Sequence, residues 1–246
     1  LGFMYSHIGE PVKSIEMHQE VLQYMRETKG DTTMALAFIG ENYEAQGDFV
    51  NALDYSRRSF SGYENAIRNG VPLDERGYPA GPMRMGQIFH KMGQLDSAMR
   101  YAQISYQRVL EKPEVGVFFY CSICNLLGNI HSELKQPIEA IRFFRLAINK
   151  GIELNYLSSV QESQSALAKF YQKANQPDSA IYYATQAYEG AKKIKGFEVM
   201  KISAGLLRTV YEKQGNFEKA LFYNDLAIAA RDSVSGAEKV REVQNL

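Results

Sequence analysis

Small and aromatic residues recur along this chain in a pattern that repeats about every forty residues. Alanines at one position of the pattern follow one another at intervals of 46, 42, 40 and 40 residues, and a serine lies 38 residues before the first of them. These positions are Ser14, Ala52, Ala98, Ala140, Ala180 and Ala220. A repeat of this length predicts an array of similar helical units, each too small to bury its apolar face alone.

Each repeat indicates two helices joined by a short turn. Twelve residues before each alanine lies a small residue, except at Arg208, and an aromatic residue follows three positions later on the same helix face. The small residues are Gly2, Gly40, Gly86, Gly128 and Ala168, and the aromatic ones are Tyr5, Tyr43, Phe89, His131, Tyr171 and Tyr211. A second large residue, at Met17, Tyr55, Tyr101, Phe143, Tyr183 and Tyr223, is expected to fill the gap to the next hairpin.

The turn between the two helices lies five residues before each alanine. It carries Gly9, Gly47, Gly93, Lys135, Asn175 or Gly215. Glycine and asparagine favour the left-handed conformation that ends a helix, and a proline two residues later fits the first turn of the next one. Prolines stand there at Pro11, Pro137 and Pro177, and Asp48, Asp96, Asp178 and Asn216 are expected to cap nearby. The crowded glycines and prolines from Asn69 to Pro82 predict a loop.

Two of these repeats carry a family resemblance. The first is Leu36, Ile39, Gly40, Tyr43, Gly47 and Ala52, and the second is Cys124, Leu127, Gly128, His131, Ala140, Phe144 and Ala147. Both resemble tetratricopeptide repeats (TPRs), although Pro82 and Arg208 depart from the family pattern and the period exceeds its usual length of about 34 residues. The resemblance implies an all-α, right-handed superhelical solenoid of about six hairpins with a C-terminal helix.

On this basis we expect a TPR-like array over residues 1–230 and a capping or signalling helix over residues 231–246. The expected hairpins are approximately residues 1–30, 33–68, 80–111, 117–150, 158–194 and 198–230. Because the chain begins at Leu1 inside a repeat, we also expect it to be a fragment or a processed product. Its compartment stays open, with the periplasmic side of an anchored sensor preferred over the cytoplasm.

Composition and candidate chemistry argue against an enzyme. Lys plus Arg equals Asp plus Glu at 28 each, so no net field favours nucleic acid. Cys121 and Cys124 lie one helical turn apart and are expected to pack in the core, because no second pair of ligands completes a zinc site. His7, His18, His90 and His131 show no metal-ligand spacing, and no phosphate loop or nucleophile motif occurs. We therefore expect no catalytic residue, metal or cofactor.

The resemblance implies that the first helix of each hairpin lines a concave groove for a protein or peptide ligand. Carried over by register, the candidate groove residues are Met83, Arg84, Gln87, His90, Asn125, Asn129, Lys169, Gln172 and Thr209. Asn125 and Asn129 stand one helical turn apart, and amides at that spacing can hold a peptide backbone as donor and acceptor together. They are equally consistent with two solvated helix positions.

The segment after Ala230 starts with Arg231, Asp232 and Ser233 and continues as Glu-Lys-Val-Arg-Glu-Val-Gln over residues 238–244. It resembles the exit of repeat regions in bacterial signalling proteins, where a helix leads to a membrane span and then to a histidine kinase or helix-turn-helix output. Ala237, Val240, Val243 and Leu246 give it an apolar side. This resemblance implies a sensory or regulatory array, which could form a homodimer through the terminal helix and meet a membrane only through segments outside this sequence. Two alternatives stay open: a freestanding scaffold or adaptor, and a receptor for peptide pheromones.

Overall fold

The chain is built from α-helices throughout the residues that the computed structural model describes, which are 11–28, 30–71 and 77–244. Eleven helices lie in these ranges, and no strand does. They are α1 Pro11–Glu27, α2 Thr33–Ala45, α3 Phe49–Arg68, α4 Gly77–Lys91, α5 Leu95–Glu111, α6 Pro113–Glu133, α7 Pro137–Glu153, α8 Leu157–Lys173, α9 Pro177–Lys193, α10 Phe197–Lys213 and α11 Phe217–Gln244. The fold is an all-α repeat solenoid, as the sequence predicts.

Internal contacts divide the chain into two compact units, Leu1–Phe119 and Tyr120–Leu246. In the first unit α2 pairs with α3 and α4 pairs with α5. In the second unit α8 pairs with α9 and α10 pairs with α11, while α8 also packs on α7 and α10 packs on α9. Helices α2, α3, α4, α8, α9 and α10 therefore each contact both their hairpin partner and a neighbouring helix outside that hairpin.

Every hairpin turn in the described ranges closes with the same two backbone hydrogen bonds. Between α6 and α7, the N–H of Gln136 donates to the carbonyl of His131 at 2.9 Å, and the N–H of Lys135 donates to the carbonyl of Ser132 at 3.2 Å. Lys135 adopts φ 57°, in the left-handed region. The same arrangement occurs at Gly47, Gly93, Asn175 and Gly215. This geometry gives donors to the last helical carbonyls, and it confirms the predicted turn positions from Gly47 onward. The predicted positions Gly2, Tyr5 and Gly9 lie outside the described residues.

The two aromatic positions of each hairpin stack on one another. Their ring centroids lie 5.3 to 5.6 Å apart, and their planes differ by 5° to 21°. The pairs are Tyr43 with Tyr55, Phe89 with Tyr101, His131 with Phe143, Tyr171 with Tyr183 and Tyr211 with Tyr223. The second aromatic thus packs on the first helix of its own hairpin, where the sequence interpretation placed it only in the gap to the next one.

The repeated alanines and small residues are the points of closest approach. Ala52, Ala98 and Ala140 are fully buried, and Ala180 and Ala220 expose only 2% and 7% of their surface. In the α6–α7 hairpin a Cβ at Gly128 would lie 2.7 Å from the ring of Phe144, which is itself fully buried. A larger residue than glycine would therefore force a core ring to move.

In the last hairpin, Arg208 occupies the position where the other hairpins have a small residue. This residue takes the register position of Gly128 and Ala168, is exposed, and donates from Nη1 to Oδ1 of Asn224 at 3.4 Å. Asn224 takes the position that Phe144 holds in the α6–α7 hairpin. Among the described residues no later hairpin covers α10 and α11, so a polar pair is tolerated here.

Helix α4 corrects the predicted loop, because it begins at Gly77 rather than after Pro82. Pro82 has no N–H, so the carbonyl of Tyr78 loses its helical donor. Arg108 of α5 replaces that donor, with Nη1 at 2.9 Å from the Tyr78 carbonyl. Its Nη2 also donates to Glu64 Oε1 at 2.6 Å, and its guanidinium lies 4.5 Å from the centre of the Tyr78 ring. A side chain from the neighbouring helix thus permits proline inside α4.

Helix α11 is one continuous helix of 28 residues. It passes through the boundary at residue 231 where the sequence analysis expects a separate terminal helix. Helix α10, its hairpin partner, has 17 residues, so the C-terminal part of α11 extends past it. The regularly spaced apolar residues of the tail sequence therefore belong to the second helix of the last hairpin and do not begin a separate helix.

Replacing Gly128 with alanine is expected to lower the free energy of unfolding by about 1–3 kcal/mol, because the new methyl group collides with the Phe144 ring. Gly205 is the matched control, since it lies within α10 and a Cβ there meets no atom within 4 Å. Gly205→Ala should raise the same free energy by up to about 1 kcal/mol through helix propensity. The midpoint of chemical denaturation measures both, and equal stability of the two variants would contradict the packing account.

Candidate binding surface

Four charged side chains of α2 and α4 form one ion cluster in the first unit. Arg84 bonds to Glu41 and places Nη1 3.8 Å from Glu44 Oε2, and Lys91 Nζ lies 2.9 Å from Glu44 Oε1. The Arg84 side chain is 20% exposed. Burial lowers its pKa to about 10, so it stays charged at neutral pH. Two carboxylates neutralise two cations, and Arg84 is therefore not free to hold a ligand carboxylate.

The other candidates of α4 are less exposed than their register suggests. Met83 exposes only 8% of its surface, while Gln87 and His90 are half-buried. The predicted register treats one face of α4 as exposed to solvent. Much of the helix is instead lined by buried residues, which are Pro79, Pro82, Met83, Met85, Gly86, Ile88 and Phe89. Met83 belongs to the interior of the first unit and cannot contact a ligand as predicted.

In the second unit, Asn125 and Asn129 of α6 lie one turn apart and are both half-buried. The Oδ1 atom of Asn125 is buried and has no hydrogen-bond partner in the described structure. A buried amide oxygen without a donor costs free energy, so it favours any change that brings a donor to it. The pair thus supplies two carboxamides, one of them with an unused acceptor.

Helices α8 and α10 add the remaining candidates of the second unit. Lys169 is exposed and Gln172 is half-buried on α8. On α10, Thr209 is half-buried, and its Oγ1 donates to the carbonyl of Gly205 at 2.9 Å. Gly205 itself borders open space. Contacts between α8 and α10 place these residues on neighbouring helices of one unit.

Two further residues of this surface were not among the candidates. Glu162 of α8 is exposed as a whole residue, but protein atoms surround part of its carboxylate. This partial loss of solvation disfavours the charged form and raises the pKa of Glu162. Ile202 of α10 exposes 44% of its surface. They lie 40 residues apart at the same register, one helical turn before the positions of Ser165 and Gly205. The list of candidate groove residues would have included both if it had started one helical turn earlier in α8 and α10.

The two thiols of α6 are core groups. Cys121 Sγ donates to the carbonyl of Ala147 at 3.4 Å, and both cysteines are buried and free. Burial raises the pKa of both thiols, that of Cys124 to about 12. Within the described ranges, no group of three or more His, Cys, Asp or Glu side chains could hold a metal ion. Among the same residues, no helix is both long enough and apolar enough to cross a bilayer.

Comparison with known proteins agrees with this geometry. Residues 122–149, which span most of the α6–α7 hairpin, match the tetratricopeptide repeat family. The structure is similar to that of BtubC from P. vanneervenii, with 16% identity and a TM-score of 0.67 over 95% of this chain and 92% of that one. No curated protein matches the sequence.

Two Rap structures share the fold as well. A Rap protein complexed with competence and sporulation factor has 14% identity and a TM-score of 0.73, over 87% of this chain and 58% of that one. The Rap conjugation gene regulator of plasmid pLS20, in complex with the Phr* peptide, has 15% identity and a TM-score of 0.66, over 86% and 57%. This chain therefore spans somewhat more than half of either Rap protein, and at these identities the likeness establishes the fold.

Replacing Arg84 with alanine is expected to lower the free energy of unfolding by about 1–3 kcal/mol, because Glu41 would lose its cation and Glu44 would keep only Lys91. Arg58 is the matched control, since its pair with Asp54 is 40% and 60% exposed. Arg58→Ala should change stability by less than about 1 kcal/mol. Chemical denaturation measures both variants, and equal losses would show that the cluster has no special role in the first unit.

The thiols of Cys121 and Cys124 are expected to react slowly with Ellman's reagent in the native protein at mildly alkaline pH. Their raised pKa values leave little thiolate, and burial blocks access to the sulfur atoms. Both should react at once in concentrated guanidinium chloride. Rapid reaction of either thiol in the folded protein would mean that α6 is not packed as described.

Proposed function

We propose that this chain is a non-catalytic TPR-like array that binds a protein or peptide ligand on the first-helix face of its second unit. The observation that carries the proposal is the pair Asn125 and Asn129 on α6, with the unpartnered Oδ1 atom of Asn125. A ligand backbone offers the N–H group that this oxygen lacks. The shared fold with a Rap regulator in complex with the Phr* peptide supports an extended peptide as the ligand.

The second unit is favoured over the first because it offers a half-buried acceptor at Asn125 and an exposed cation at Lys169, whereas the charges around Arg84 in the first unit pair with one another. In the first unit the cluster around Arg84 satisfies its own charges, and Met83 is buried. In the second unit Lys169 is exposed on α8, and Gly205 borders open space on α10. Close approach of a ligand backbone is easiest where a glycine lacks a side chain.

The ligand that fits these groups is an extended segment with a free main chain and at least one acidic or polar side chain. Carboxamides supply a donor and an acceptor for each backbone unit they face. Lys169 supplies an exposed cation that a ligand carboxylate could pair with. Ile202 adds an apolar contact at the start of α10.

We further propose that the array is the sensory or regulatory part of a larger bacterial signalling protein. Helix α11 has 28 residues and extends past its 17-residue partner α10. This length supports the proposal because a projecting helix can transmit a conformational change to another domain. A homodimer through residues 231–246 stays a prediction, since the side chains from residue 234 onward lie outside the described residues. A freestanding scaffold would use the same binding face without that output.

The binding proposal predicts that a random library of short linear peptides yields binders to the wild-type protein. Asn125→Ala with Asn129→Ala should weaken the best binder by about tenfold or more, because each lost amide leaves a backbone group unpaired. Asn149→Ala is the control, since Asn149 is exposed on the second helix of the same hairpin. Fluorescence anisotropy measures the dissociation constants.

Failure to select any peptide would contradict peptide binding itself. Binders whose affinity is the same for the double variant and the wild type would instead remove Asn125 and Asn129 from the site. A melting temperature equal to that of the wild type confirms that the double variant is folded.

A further inference from the structure

Helix α11 carries an apolar stripe that the described residues leave exposed. Phe217, Leu221 and Ile228 expose 71%, 63% and 40% of their surface. At 100° per residue these three positions fall within about 40° of one another, so they form a single line along the helix. Large apolar side chains grouped in this way mark interaction surfaces more often than single exposed ones do.

The repeat itself shows what covers this stripe elsewhere in the second unit. Leu221 lies 40 residues after Ile181 and 80 after Ile141, and both isoleucines pack in a core cluster that includes Leu167 of α8 and Val210 of α10. The first helix of the following hairpin thus covers the equivalent line on α7 and α9.

Ile228 repeats the same relation. Its equivalents are Ile148, which packs in that cluster, and Tyr188, which is only 5% exposed. Leu221 and Ile228 have therefore kept the apolar character of covered positions, whereas Phe217 stands where α7 and α9 begin with Pro137 and Pro177. An α-helix laid along α11, as α10 lies along α9, would complete the contact.

Charge defines the covering helix further. Glu218, Asp225 and Asp232 are exposed and recur every seven residues, so they form an acidic row beside the apolar stripe. Asp232 already accepts hydrogen bonds from Arg231, while Glu218 and Asp225 remain available on the surface. The equivalent positions of α9 are Asp178, Thr185 and Lys192, so the row is a property of α11.

The acidic row also argues against a second copy of this chain as the occupant. In a two-fold antiparallel pair of α11 helices, residues on the same flank would meet, and Asp225 would face Asp225 of the other copy. Like charges brought together at an interface cost free energy and suppress such a pairing. A partner with cations on that flank is favoured instead.

We infer that Phe217, Leu221 and Ile228 form a docking site for an amphipathic α-helix of a protein partner, with Lys or Arg beside its apolar face. This mode of recognition places an apolar helix face in contact with an apolar surface, and flanking charges set specificity and orientation. The inference concerns a different surface from the peptide site and does not depend on it.

The probe is a fluorescein-labelled synthetic peptide of about three heptads, with Leu at positions a and d, Lys at e and g, and Ala elsewhere. Its twin carries Glu in place of Lys. The wild-type protein should bind the Lys peptide about tenfold or more tightly than the Glu peptide in fluorescence anisotropy. Leu221→Ser with Ile228→Ser should weaken binding of the Lys peptide by about tenfold. Glu218→Lys with Asp225→Lys should reverse the preference between the two peptides.

The matched control is Val50→Ser with Ile138→Ser, two apolar residues of other helices that expose 74% and 80% of their surface. These changes should leave binding of the Lys peptide unaltered. Equal binding of the two peptides, or no effect of the serine or charge-reversal pairs, would overturn the proposal. A wild-type dimer in sedimentation that Leu221→Ser with Ile228→Ser dissociates would also overturn it, because the occupant would then be a second copy.

Discussion

One contact made in every described hairpin turn holds this array together: the aromatic residue of the first helix stacks on an aromatic twelve residues later in the second. The backbone carbonyl of that first aromatic also accepts the hydrogen bond that closes the turn. The turn hydrogen bond and the ring contact therefore both constrain the position of the first aromatic residue of each hairpin. The buried alanines then let the two helices approach closely, and neighbouring hairpins pack on one another.

The same constraint explains how much of the fold could be read from the sequence. The turn positions, the buried alanines and the first aromatic of each pair follow from local periodicity, and the structure confirms them in the hairpins from α2 to α11. The start of α4 could not be predicted in this way, because Pro82 is accommodated by Arg108 from the next helix. Arg208 was likewise seen only as a departure from the pattern, because local periodicity does not show that it pairs with Asn224 of the next helix.

Prediction of the candidate site was weaker, because register fixes which face a residue occupies but not which neighbours it meets. Arg84 lies where the register places it, yet Glu41 and Glu44 already satisfy its charge. Met83 is buried because α4 is enclosed on more sides than a surface helix. In the second unit the helix faces retain unused groups, such as Oδ1 of Asn125, and α11 retains an uncovered apolar stripe. Two parts of one regular array thus differ in what they offer a partner.

The most direct test of this account is hydrogen–deuterium exchange of the protein with and without a peptide selected for binding. If the ligand lies on the first helices of the second unit, amide exchange should slow in α6, α8 and α10, while α2 and α4 should exchange as they do in the free protein. Exchange reports local opening, so a bound segment protects the helices that it contacts. Protection confined to α2 and α4, or to the second helices of the hairpins, would contradict the account.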